Sequence, residues 1–210
     1  MTRVDPVAAE APQPRARLRV AVWDGFVRTS HWVVFVGVVI AWFSHGGLLA
    51  AHRIAGYVVA AFIFARLAWG FVGGRYARFA GFVPHPARLV AYLGALLRRR
   101  EPRFIGHNPA GGAMIVILLA ALIAISTTGF LIDTPGWRDY RPLREWHAAL
   151  SDVLMVLVIV HVLGVLYASV RHRENLVGSM FTGSKERRET DGASGGISSD
   201  TARASAKESS

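Results

Sequence analysis

Eight histidines and no cysteine stand in this 210-residue chain, and two of the histidines share one segment. Glu145-Trp146-His147 opens it, and His161 lies fourteen residues further on, at the end of an apolar run from Val153. On a helix fourteen residues rise about 21 Å and turn nearly four times, so both imidazoles face about the same way. Neutral imidazole is a common biological metal ligand. Two on one face at two depths suit two separate metal or cofactor sites. The missing cysteines exclude disulfides, cysteine-ligated iron–sulfur clusters and covalent haem attachment through CxxCH. Any haem would have to be held by non-covalent ligation.

The elements that must carry these residues are apolar and long. Trp32–Ala51, Asn108–Ile132 and Val153–Val170 contain no Asp, Glu, Lys or Arg, and Ile54–Gly74 contains only Arg66. Each run is near the roughly 20 residues that cross a hydrocarbon core. A soluble chain would need polar stripes on such helices, and they are largely missing. The expected fold is therefore an all-α integral membrane protein, a bundle of four transmembrane helices.

The net charge of +10 is placed for a membrane surface, and nucleic acid is not an expected partner. Residues 1–30 hold five Lys and Arg, 75–111 seven and 171–210 seven, against Arg53, Arg138, Arg141 and Arg144 in the two short loops. The positive-inside rule then puts both termini and the middle loop in the cytoplasm. Arg75, Arg78, Arg171 and Arg173 lie beside span ends, where the rule counts most. Met1–Arg19 lacks an apolar core, so no cleaved signal peptide is expected. In Pro84–Arg100, leucines and a valine recur at helical spacing among arginines. That pattern predicts a cytoplasmic amphipathic helix between the second and third spans, lying on the anionic leaflet or packing on the protein itself. Residues 1–18 and 183–210 have the composition of disordered tails, which leaves 19–182 as the membrane domain.

With that topology four histidines pair by depth. His31 and His161 fall in the cytoplasmic half, while His52 and His147 open their spans near the outer surface. One interfacial histidine is an ordinary polar helix end, but matched pairs point to bis-imidazole haem ligation. Filling both axial positions of an iron leaves no site for oxygen and favours electron transfer. Gly56, four residues after His52, and Gly164, three after His161, make room on the same helix faces. Zinc fits less well, because it draws four converging ligands. His45, fourteen residues after His31, is a rival to His52 that spacing alone leaves open. Arg66, the single charge within a span, is placed to meet a haem propionate or quinone oxygen; snorkelling to the headgroups is its simpler role. His85, His107 and His172 fall in cytoplasmic segments, as solvated or capping residues.

Val22-Trp23-Asp24, Arg28 and His31-Trp32, then His52-x-x-x-Gly56-Tyr57 and Arg66–Phe71, occur in that order. His107-Asn108-Pro109, Trp146-His147, His161-Val162 and His172–Leu176 follow. This ordered set resembles the bacterial cytochrome b561/Ni-hydrogenase cytochrome b-type family over about residues 20–183. The resemblance implies a four-helix bundle of the bacterial inner membrane with two b-type haems. It implies His31 with His161 for the inner haem and His52, rather than His45, with His147 for the outer one. It further implies electron transfer between a quinone or quinol and a redox protein partner, a soluble cytochrome or dehydrogenase subunit. Quinol oxidoreductase activity is one expectation; a haem-bearing membrane anchor of a hydrogenase or other dehydrogenase is the alternative. A haem-free channel would need a continuous polar path between His31 and His161, which these spans do not supply.

Overall fold

The computed structural model describes residues 19–21, 23–74, 77–102, 104 and 108–186. His107, Arg75, the N-terminal tail and all of the C-terminal tail beyond Glu186 lie outside the described residues. The elements run β1 (Arg19–Ala21), α1 (Gly25–Ser44), α2 (Leu49–Val72), α3 (Phe79–Phe82), α4 (Pro86–Leu97), α5 (Pro109–Asp133), α6 (Arg141–His172), α7 (Leu176–Thr182) and β2 (Ser184–Glu186). Helices α1, α2, α5 and α6 are long and apolar enough to cross a membrane. The expected four-helix architecture is present, and the chain is a multi-pass membrane protein.

Local chemistry sets the helix starts. Asp24 caps α1 by accepting from the Val27 N–H at 2.8 Å. Asn108 caps α5 by accepting from Gly111 at 2.6 Å, with Pro109 at the first helical position, where no N–H is needed. Asn175 does the same for α7 through Gly178. Asp24 also accepts from the Trp69 indole at 3.0 Å, tying the start of α1 to the end of α2.

Packing orders the spans α1, α2, α5, α6. Helix α2 packs on α1 and on α5, and α6 packs on α5. Gly37 lets α1 and α2 close up: a Cβ there would stand 2.6 Å from the Val59 Cγ2. A small core of Val59, Ile63, Leu119, Leu122 and Leu154 joins α2, α5 and α6. Elsewhere large apolar side chains such as Phe43, Phe64 and Val170 face outward, as they must in lipid.

Three elements lay beyond the pattern read from sequence. Helix α3 turns Phe79 against Gly70, which accounts for that glycine through α3 rather than through another span. Helix α7 folds across one end of the bundle, where the Trp23 indole donates to Ser179 at 3.4 Å. Gly183 ends α7 with φ +80°, a left-handed cap that glycine adopts freely. From there Ser184–Glu186 pairs antiparallel with Arg19–Ala21. These three residues fall in the stretch whose composition suggested a disordered tail, and backbone pairing holds them.

The loop helix α4 buries Tyr92 and leaves Val90 and Leu97 exposed. Beside it Glu101, with a fully buried side chain, pairs with Arg171 of α6 at 3.0 Å. Arg171 also donates to the Arg99 carbonyl at 2.8 Å. Burial, and then the Glu101 carboxylate, push the Tyr92 phenol above its ordinary range.

Candidate functional site

The structure brings the four histidines together in two imidazole pairs. His52, in the first turn of α2, faces His147 of α6 with ring centres 6.1 Å apart. His31 of α1 faces His161 of α6 at 6.5 Å. With metal–imidazole bonds of about 2.0 Å, two rings sharing one metal from opposite sides stand about 6 to 6.5 Å apart. Among the described residues no group of three or more His, Asp or Glu is gathered for a metal. Each pair therefore suits a metal that brings its remaining ligands with it, as porphyrin iron does.

The outer pair is held in one orientation. His52 Nδ1 meets the Ala41 carbonyl of α1 at 2.8 Å. A carbonyl only accepts, so Nδ1 carries the proton and the Nε2 lone pair stays available for a metal. His147 Nδ1 meets the Thr128 hydroxyl of α5 at 2.9 Å. That hydroxyl reaches the Ile125 and Ala124 carbonyls at 2.9 and 3.1 Å; with its one proton given to either, it is an acceptor for a proton on His147 Nδ1. Gly129, beside it, lets the His147 ring lie close; a Cβ would sit 3.1 Å from Cε1. All four spans thus serve the outer pair: α2 and α6 present the imidazoles, α1 and α5 the acceptors. Nothing in the sequence marked Ala41, whose contribution is a backbone oxygen. Thr128 lies in a polar Ser-Thr-Thr-Gly stretch at the end of an apolar run, a signal that could have pointed to it.

The inner pair is more open to a ligand. His31 Nδ1 is buried without a hydrogen-bond partner. The Trp32 ring meets the His31 ring edge-on at 5.3 Å. A Cβ added at Gly56 or at Gly164 would meet nothing within 4 Å, so no neighbouring side chain fills the space at either glycine. The space between α6 and the α1–α2 pair is consistent with this, since the close packing of α6 within the bundle is on α5.

The remaining candidates resolve individually. His45 is exposed at the end of α1 and bonds the Trp42 carbonyl of its own last turn, whereas His52 is the residue that meets His147. Arg66 turns to α3: Nη2 donates to the Ala77 carbonyl at 3.1 Å, and the guanidinium lies 5.6 Å from the Phe79 ring centre and 5.8 Å from that of Phe82. Its Nη1 is buried without a partner. His85 is exposed at the start of α4, and His172 is half-buried in the last turn of α6.

Four lipid-length helices around paired, oriented imidazoles make up the build of a membrane-embedded cytochrome. The sequence pattern described as Prokaryotic cytochrome b561 matches residues 22–183. The chain belongs to that family, and is a haem b protein of membrane electron transfer. A protein of Bradyrhizobium diazoefficiens named "Probable Ni/Fe-hydrogenase B-type cytochrome subunit" is 26% identical, over 87% of this chain and 93% of its own. Proteins of the same name from Azotobacter vinelandii and Rhizobium leguminosarum bv. viciae are 25% and 24% identical. They align over 80% and 88% of this chain, and 89% and 97% of their own. No solved structure matches the chain.

Proposed function

We propose that the protein is a two-haem cytochrome that carries electrons across the bilayer between a quinone or quinol and a redox protein partner. His52 and His147 ligate the outer haem and His31 and His161 the inner one. The observation that carries this is the pair of ring separations, 6.1 and 6.5 Å, each matching two imidazoles on one metal. A ligated haem iron supplies one-electron chemistry. The chain's own residues fix how it is held. The Ala41 carbonyl and Thr128 hydroxyl keep the outer rings in the Nδ1-protonated form and raise their basicity toward the metal. Arg66 keeps an unpartnered Nη1 for an acidic or carbonyl oxygen of a cofactor or quinone. The basic ends of the spans orient both termini and α4 toward the cytoplasm.

The relatives' names support a second reading, in which the same cytochrome is the membrane anchor of a hydrogenase or related dehydrogenase. Co-purification of such a subunit from membranes favours the anchor; its absence favours the free carrier. A reduced-minus-oxidised spectrum with haem quantification tests both. Two b-type haems per chain are expected, and a chain with one haem breaks the two-pair assignment.

A further inference from the structure

Two cavities open along α1. The first, about 270 Å³, is lined by Arg28, Thr29 and Trp32 of α1 and by Met180 and Phe181 of α7. The second, about 570 Å³, runs between α1 and α2 past Val36, Gly37, Ile40, Ala51, Ile54 and Val58. Trp32 and Val33 line both, so the two meet there. At 3.6 residues per turn, positions 28, 29, 32, 33, 36 and 40 form one stripe of α1, whose middle lies about 140° round the helix from His31 while Arg28, at its edge, is one turn before His31. No histidine of either pair lines these cavities.

The trough is polar at one end and apolar along its length. Arg28 Nε is buried without a hydrogen-bond partner, and so is the indole N–H of Trp32. Beyond them the walls are apolar, and Val36, Ile40 and Ile54 are 50%, 45% and 65% exposed, open to the lipid side. From residue 28 to residue 40 the helix rises about 18 Å. That is close to the roughly 15 Å depth of one leaflet's hydrocarbon. Phe181 stacks on Trp32 at 4.3 Å and walls the polar end.

We propose that this trough binds an anionic phospholipid. Its phosphate sits at Arg28 and Trp32, and one acyl chain lies between α1 and α2. A buried guanidinium Nε–H and an indole N–H, both unpartnered, ask for a charged group that only accepts, which a phosphodiester is. Basic pockets between spans take anionic headgroups for the same reason. A quinone head is neutral and would leave the Arg28 charge uncompensated.

The full-length haem-loaded protein in nanodiscs of phosphatidylcholine with a minority of phosphatidylglycerol, read by native mass spectrometry, tests this. Wild type is expected to retain one phosphatidylglycerol. Arg28→Gln should hold it about tenfold more weakly, for loss of a charge-assisted hydrogen bond. Ile54→Trp, which fills the trough and keeps Arg28, should lose it too. Both variants should keep the wild-type haem spectrum. Equal retention by wild type and both variants overturns the proposal. Retention of inorganic phosphate in place of the lipid overturns the acyl-chain half. Displacement of the lipid by a short-chain ubiquinone would reassign the trough to quinone.

Discussion

At the scale of single residues, the chemistry turns on which imidazole nitrogen is free. His52 and His147 both spend Nδ1 on oxygen acceptors. Thr128→Val removes one acceptor while keeping the shape. It should weaken the hold on the outer haem by about 10–100-fold and leave the inner haem unchanged. Haem titration of the apoprotein, resolved by redox potential, checks this. His52→Ala should cost one of the two haems and His45→Ala neither, read from the difference spectrum; the reverse would hand the outer site to His45. The histidines themselves were legible from spacing because nearly four helical turns bring residues fourteen apart onto one face. The choice between His45 and His52 was not. It depends on the turn at residues 45–48, where α1 ends and His45 folds back onto Trp42. The partners of the ligand rings were less legible still, because a backbone carbonyl has no side chain to announce it.

At the scale of elements, the spans read clearly from their lack of charge, while the short helices did not. Four residues in α3 and seven in α7 are too few to show a period, and they form because of what they pack against. The contact of α1 with α2 depends on Gly37. Gly37→Leu should strain that contact by about 1–3 kcal/mol, lowering the thermal midpoint by several degrees while the haem spectrum of the folded protein is kept. Helix α4 adds a pH term. The Tyr92 phenol is raised in the folded protein, so the stability it lends is complete below the ordinary tyrosine range and is lost as pH rises through the higher folded value. Hydrogen exchange across 86–97 should therefore speed up in strongly alkaline buffer. Tyr92→Phe should remove much of that pH dependence. If the variant loosens at the same pH as wild type, Tyr92 is not the cause.

At the scale of the whole molecule, the protein is two helical hairpins, α1–α2 and α5–α6, packed on each other through α2 and α5. The start of α2 and the end of α5 are also clasped: Asp133 accepts from Arg53 at 2.6 Å and from the Tyr57 hydroxyl at 2.7 Å. Residues 1–100 and 101–210 produced as separate chains should each insert as one hairpin. Neither alone should hold haem, and their co-expression should restore it, as a spectrum of the purified pair would record.

Each imidazole pair draws one ring from the first hairpin and one from α6. His52 precedes His147 by ninety-five residues, about 5–20 s of synthesis at the usual rate. Under the proposed ligation His31 and His52 wait in the membrane as half-sites until the last span emerges. On that ligation both sites close only once α6 has been made, so the haem spectrum would record that the chain has been translated through the last span.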